Sequence, residues 1–327
     1  MKLTYGVAMC TYNGESYLKA QLESILLQNK KPDMIVICDD YSSDATWEIL
    51  EEFKAKAQLP VIIFRNDVRQ GVIRNFERAV SSLTTDVIFL CDQDDIWLPD
   101  KVAKVSSIFE SSPEISLIFS DAILIDENAE HFDHSLFERL GVTRKEKEGI
   151  LHDNALAVLL RRNIITGATA AFRRSLLPLA LPFPETHYHD EWLGFIAAAT
   201  SRIKLIPEPT IKYRLHGKNV VGVKKMTTLD VARELWWDIN KPPFRYHAKD
   251  RLKYQKMILD RMKDIPKIPD AVIRQCRVAV DFAKFRNELP ATSLTRYPAI
   301  LWRAAIGQYR RNEFHWKRHV CRDLVNR

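Results

Sequence analysis

At 327 residues, 46% hydrophobic and 28% charged, the chain has the composition of a soluble globular protein and can bury one large core or two smaller ones. No stretch reaches 18 apolar residues and no signal-peptide pattern precedes Tyr5-Gly6-Val7, which predicts a chain that neither spans a membrane nor is exported. The formal charge of +7 is unevenly placed, net −5 over residues 1–224 (26 Lys and Arg, 31 Asp and Glu) and net +12 over 225–327 (23 and 11), and marks the second segment for an anionic partner.

A first strand is predicted at about 3–10, ending in Thr11-Tyr12-Asn13-Gly14-Glu15 and feeding a helix with Leu18, Leu22, Ile25 and Leu26 on one face. A second, at 34–38, runs into Asp39-Asp40-Tyr41-Ser42-Ser43-Asp44 ahead of a helical pattern at Thr46, Leu50, Phe53 and Ala57. Strands at 61–65 and 87–91 follow, the latter ending in Cys91-Asp92-Gln93-Asp94-Asp95. Three strand ends therefore carry polar residues, on the edge where open α/β sheets bind ligands. Stacking Asp92, Asp94 and Asp95 at the end of a buried strand costs repulsion and desolvation, which a divalent cation relieves. Hard cations such as Mg²⁺ or Mn²⁺ take carboxylate and phosphate oxygens. The plainer reading is helix capping: Ser43 or Asp44 for one helix, an acidic turn for the amphipathic run Leu98, Val102, Val105 and Phe109. Capping explains one or two residues, not carboxylate clusters at two strand ends.

A fifth strand at 115–119 extends the alternation, which argues for an α/β fold with a mainly parallel sheet and helices on both faces. Residues 126–152 break the pattern and read as a loop or lid; His131 and His134 within it lack further ligands and read as solvated. Asn163 to Thr169 returns to strand-like composition. From Thr227 the pattern is helical (Leu229-Ala232-Trp236-Ile239, Tyr254-Ile258-Met262, Val278-Phe282-Phe285), punctuated by Pro266, Pro269, Pro290 and Pro298. Cys10, Cys38, Cys91, Cys276 and Cys321 form no Cys-x-x-Cys pair, and three of them sit at strand ends, which predicts buried thiols in a reducing, cytoplasmic compartment.

The ordered set Thr11-Tyr12-Asn13, Asp39-Asp40-x-Ser42-x-Asp44 and Asp92-Gln93-Asp94-Asp95-x-Trp97-x-Pro99-Asp100 resembles glycosyltransferase family 2, inverting enzymes with the nucleotide-sugar-binding GT-A fold. The resemblance covers roughly residues 3–223 and divides the chain into a catalytic domain, 1–224, and a basic helical region, 225–327. Gly71-Val72-Ile73-Arg74-Asn75-Phe76 and the segment from Tyr213-Arg214-Leu215-His216-Gly217 to Gly222 look like the rhamnosyltransferase-like, polysaccharide-building branch.

By that resemblance Thr11, Tyr12, Asn13, Glu15, Asp39, Asp40, Arg74 and Asp92 would hold the nucleotide, with Asp40 favoured for the base and Asp92 for the ribose. Arg74 reads equally as a surface residue at a helix start. Asp94 would hold Mg²⁺ or Mn²⁺, and Asp95, Arg214 and His216 would face the donor sugar or its diphosphate. Asp190 matches the general base, with His189 where the family usually has Glu and Glu191 as the second choice. The implied donors are dTDP-rhamnose or a UDP-hexose, and the implied acceptor is a saccharide, lipid-linked and part of a growing bacterial surface polysaccharide. Trp236, Trp237, Trp302 and Trp316 among Lys and Arg suit a peripheral contact with an anionic membrane, or are core aromatics with solvated charges. No nucleic-acid motif is present. The rival reading is a non-catalytic scaffold that keeps the nucleotide-sugar fold and is tethered to membrane by its basic tail.

Overall fold

Four apolar runs bounded by polar turns pair in parallel at the start of the chain, in the order β3-β2-β1-β4: β1 (Tyr5–Thr11), β2 (Met34–Asp39), β3 (Val61–Arg65) and β4 (Val87–Cys91). Every residue of β1 and β4 is buried, so both read as continuous hydrophobic runs rather than alternating ones. The helices α1 (Leu18–Leu26), α2 (Thr46–Lys56) and α3 (Val72–Ser81) lie between them in sequence. Leu18, Leu22, Leu50 and Phe53 pack with Val7, Met9, Ile35, Ile37 and Phe89 in one core, each buried side chain contributing about 1.5–3 kcal/mol. The computed structural model describes residues 2–216, 245–289 and 293–313, with positions 317, 320, 323 and 324 beyond them.

The rest of the sheet is mixed. It comprises β5 (Ile96–Trp97), α4 (Lys101–Ser111), β6 (Ile115–Ile125), β7 (His131–Ser135), α5 (Leu136–Arg139), α6 (Arg144–Leu151), α7 (Ala155–Leu159), β8 (Ala171–Arg173), α8 (Leu177–Ala180), α9 (His189–Thr200) and β9 (Arg202–Arg214). Antiparallel β8 sits between β4 and β6, β9 runs parallel to β6, and β5 pairs β9 antiparallel. The α/β class expected from the sequence is the one observed.

Several local expectations need correction. Residues 126–152 are not a bare loop: they hold β7, α5 and α6, and both helices start on capping boxes, Ser135 with Glu138 and Thr143 with Glu146. The Ser-x-x-Glu and Thr-x-x-Glu spacings were visible, but neither helix is long enough to show an apolar period. Within 163–169 the strand-like composition resolves into a short 3₁₀ turn, Gly167–Thr169, with the strand β8 beginning at Ala171. The thirteen-residue β9 had no strand signal because Pro207 and Pro209 interrupt it; the β6 register shifts between Ser120 and Asp121, where Asp121 faces Pro209.

The chain divides into two compact units, Met1–Ala155 with Ile164–Val223, and Leu156–Asn163 with Lys224–Arg327. In the second, α10 (Arg245–Asp264) packs on α11 (Asp270–Asn287). The helices α12 (Ser293–Ala305) and α13 (Gln308–Asn312) follow, and Phe282, Leu289, Ile300 and Tyr309 form a small core. Cys10, Cys38, Cys91 and Cys276 are free and buried. Trp236, Trp237, Trp316, Cys321 and the motif residues Gly217 to Gly222 lie outside the described residues.

Candidate active site

Parallel register sets Thr11 beside Asp39 and Met9 beside Cys91, so the polar segments after β1, β2 and β4 share one sheet edge. The first two segments are stitched together. Thr11 Oγ1 donates to Asp39 Oδ1 at 2.9 Å, Asn13 N–H to Ser42 Oγ at 2.9 Å, and Ser43 N–H to Asn13 Oδ1 at 2.8 Å. Glu15 N–H donates to Asp44 Oδ2 while Glu15 Oε2 accepts from Ala45 N–H. Thr11, Asn13 and Glu15 thus shape the loops. Tyr12 is exposed, its ring is covered by the Arg69 guanidinium at 4.0 Å, and its backbone is held on both sides by the Gln93 amide at 2.8 and 3.0 Å.

Asp39 and Asp40 are both buried, and their roles differ. Asp39 closes its own turn by accepting from Ser42 N–H at 3.0 Å, with Arg65 at 3.7 Å. Asp40 reaches the next loop, accepting from Asn66 Nδ2 at 2.9 Å, Gln70 N–H at 2.7 Å and Gly71 N–H at 2.9 Å. That loop and the start of α3 line a cavity of about 350 Å³ with Asn66, Asp67, Val68, Gln70, Arg74 and Arg78. Arg74 pairs with Glu77 at 3.0 Å and Glu185 at 2.9 Å.

The carboxylates after β4 form one electrostatic unit. Burial, then the charges of Asp94 and Asp190, push Asp92 up to about 7. Asp95 is raised well above the usual carboxylate range by burial and by Asp94 and Asp92. Its Oδ1 accepts from Arg214 N–H at 2.9 Å, while its buried Oδ2 has no hydrogen-bond partner among the described residues. Asp94 Oδ2 lies 2.8 Å from His216 Nε2, and that ring packs on Tyr17 at 5.0 Å. Arg214 is buried, donating through Nε to the Asp94 carbonyl and through Nη1 to the carbonyls of Asp126 and Glu127, with its guanidinium over Tyr17. It braces the acidic loop against the segment after β6.

Asp190 opens α9. Its Oδ2 accepts from Gly167 N–H and its Oδ1 from Glu191 N–H, both at 2.8 Å. Burial raises its carboxyl to about 6 against the pull of those donors. The approach is close: a Cβ on Gly167 would sit 3.3 Å from His189 Nε2, which would have to give by a few tenths of an ångström, and in ordinary contact at 3.4 Å with Asp190 Oδ2. His189 is buried and stacked on Phe76 at 3.9 Å, and burial lowers its ring to about 3, so it is neutral. Neither ring nitrogen has a hydrogen-bond partner among the described residues. The imidazole standing where the resembling family has Glu is therefore an uncharged packing group.

Lys101 is a site-edge residue that sequence reasoning missed. At the first turn of α4 it is fully buried, donating to the Ala168 carbonyl at 2.6 Å with its ammonium over Trp97 at 4.3 Å. Burial brings it down to about 8, opposed by the charges of Cys91, Asp95 and Asp92. A Lys after Pro99-Asp100 carries no sequence signal for burial. Gln93 was missed too, because a Gln between two Asp reads as a spacer.

The donor set fits a hard cation. It offers carboxylates, an orphan buried oxygen on Asp95 and mutual repulsion that a cation would relieve. Among the described residues no three His, Cys, Asp or Glu side chains enclose a metal by themselves. Mg²⁺ at nucleotide sites uses one or two carboxylates and completes its shell with phosphate oxygens and water.

The glycosyl transferase family 2 model matches residues 6–177, just over half of the chain. An uncharacterised protein of Mycobacterium tuberculosis is 28% identical over 220 residues, 65% of this chain and 59% of that relative, so the match leaves much of the relative's length uncovered. The dTDP-rhamnosyl transferase RfbG of Shigella flexneri is 26% identical over 248 residues, 70% of this chain and 80% of the relative. Among solved structures, S. aureus TarS 1-349 in complex with UDP-GlcNAc aligns with a TM-score of 0.58 at 16% identity, over 95% of this chain and 82% of that one. The mannosyltransferase PcManGT from Pyrobaculum calidifontis, in complex with GDP-Man and Mn²⁺, aligns at 0.52 and 15% identity, over 99% and 84%. At these identities the structural likeness bears on the fold.

Proposed function

We propose, for a chain that belongs to glycosyl transferase family 2, an inverting, metal-dependent transfer of a sugar from a nucleoside diphosphate to an acceptor hydroxyl. The arrangement that carries this reading is the grouping of Asp92 and Asp94 from the β4–β5 loop with Asp190 from the start of α9, close enough that the charges of Asp94 and Asp190 both act on buried Asp92. A donor end and a base end belong together in a direct displacement.

Asp190 is the base in this reading. Its carboxylate takes the proton of the acceptor hydroxyl as that oxygen forms a bond to the anomeric carbon. The bond from that carbon to the diphosphate breaks on the opposite face, so the configuration inverts and no covalent enzyme intermediate forms. Mg²⁺ or Mn²⁺ held by Asp94 would supply charge neutralisation for the departing diphosphate. Asp92 takes the ribose, Asp95 and His216 border the donor sugar, and Arg214 positions the acidic loop. The exposed Tyr12 beneath Arg69, together with Asp40 and the Asn66–Arg78 cavity, takes the nucleobase.

A relative named for dTDP-rhamnosyl transfer favours dTDP-rhamnose as donor. Likeness to a UDP-GlcNAc complex keeps a UDP-hexose as its rival. The acceptor in this reading is a lipid-linked saccharide of a bacterial surface polysaccharide. Residues 1–224 supply the chemistry and the basic region 225–327 supplies peripheral attachment at the cytoplasmic face of the membrane. Among the described residues no helix is long and apolar enough to cross a membrane.

A thermal-shift panel of UDP, dTDP, GDP and CMP, each with and without Mn²⁺, tests the donor site. The expected result is a Mn²⁺-dependent stabilisation by UDP or dTDP that Asp94→Asn removes. Stabilisation by none of the four removes the basis of the proposal.

A further inference from the structure

In the second unit, α12 turns its apolar side outward. Tyr297 (43% exposed), Leu301 (53%) and Trp302 (60%) stand on that side, and Ile306 (39%) continues it just past the helix end. Leu301 lies one turn above Tyr297 and Ile306 one turn past Trp302, and the two pairs flank the outer half of the helix. Pro298 and Ala305 fall between them and are exposed as well. The opposite side is firmly anchored. Ile300 and Tyr309 are fully buried, and Arg296 Nε donates to the Asp323 carbonyl at 2.7 Å. Below them Arg286 pairs with Asp323 at 2.9 Å and with Glu313, also buried. The outward face is thus a held feature of the unit rather than a frayed end.

Its surroundings are cationic. Residues 297–313 contain Arg303, Arg310 and Arg311 against one acid, Glu313, which pairs with Arg286. Arg310 and Arg311 are exposed, and Arg303 lies over Phe285 with its Nη1 on Gln308. Tyr and Trp on an apolar stripe beside arginines match the chemistry of a headgroup boundary, where the rings bury and the cations meet lipid phosphate. Thirteen residues span about 20 Å, short of the hydrocarbon thickness, so a helix of this kind lies in the plane of the interface.

We propose that the face Tyr297, Leu301, Trp302 and Ile306 docks onto an anionic lipid surface. The assignment rests on the reading above, in which the acceptor is lipid-linked, and gives that attachment a defined patch.

The test is sedimentation of the full chain with phosphatidylcholine vesicles, with and without phosphatidylglycerol, at low and high salt. Wild type is expected to sediment with the phosphatidylglycerol vesicles and to be released by salt. L301D with W302D is expected to weaken this at least about tenfold, while keeping its circular dichroism and its nucleotide-induced thermal shift. Arg310→Glu with Arg311→Glu should lose the preference for phosphatidylglycerol. Absence of vesicle binding by wild type, or full binding by L301D with W302D, overturns the proposal. So does light scattering that shows a wild-type dimer split by L301D with W302D, which would make the face a contact between copies. Donor turnover in vesicle-free solution is measured separately, so failure of the sugar-transfer reading leaves a distinct signature.

Discussion

Asp190 holds its carboxylate between two backbone N–H donors at a helix start, yet burial still lifts it to about 6. Such a group is ionised at neutral pH and basic enough to take a proton from a hydroxyl as the bond forms. Asp190→Asn is expected to lower kcat about 10²–10⁴-fold with donor affinity changed little. The wild-type rate should fall tenfold per unit below pH 6 and level off above it. A flat rate down to pH 5 would place the base elsewhere. The sign for stability is the reverse of an ordinary surface Asp. The folded value exceeds the unfolded 3.8, so between them the folded state binds more protons and ionisation of Asp190 weakens the fold as pH rises. Asp190→Asn should therefore gain stability over wild type on going from pH 5 to pH 8, read from urea midpoints. His189 beside it was legible as a departure from an acidic pair, but its burial against Phe76 was not, because stacking partners 113 positions apart leave no local pattern.

At the scale of elements, the loop after β1 depends on a missing side chain. A Cβ on Gly14 would meet Gln93 Oε1 at 2.3 Å, and Gln93 is the clamp on the Tyr12 backbone. Gly14→Ala is expected to displace the Gln93 amide, raise the donor KM several-fold and destabilise by about 1 kcal/mol. Donor titration with urea unfolding checks this, and an unchanged KM would show that Tyr12 does not need the clamp. The strand ends carrying these loops were legible because β1, β2 and β4 are continuous buried runs followed abruptly by polar residues. The capped helices α5 and α6 and the proline-interrupted β9 were not, since each is stabilised by tertiary pairing more than by its own period.

At the scale of the whole chain, the two units rest on different cores. The first buries an apolar sheet, whereas the second adds to an apolar cluster that includes Phe282, Leu289, Ile300 and Tyr309 a charged knot of Arg286, Asp323, Glu313 and the Tyr309 hydroxyl. Arg286→Met leaves two buried carboxylates without their cation and is expected to cost about 3–5 kcal/mol. Calorimetry should then show an early transition for the second unit while the nucleotide-stabilised transition of the first persists. A single unshifted transition would mean that the knot contributes nothing measurable.

Local order determined much of this protein. Apolar runs ending in polar segments, three times in sequence, were enough for the α/β class, and the ordered motifs in those segments for the family, because strand period and turn chemistry are written in neighbouring residues. The charge division into a mildly acidic segment and a strongly basic one needed only counting. Tertiary structure alone decided what each polar group does. It made Asn13 and Glu15 loop ties, Arg214 a buried brace, Lys101 a buried cation and His189 a neutral ring, and it turned the Tyr297–Ile306 face outward. The physical reason is that desolvation and pairing depend on partners far away in the chain, which no window of sequence contains.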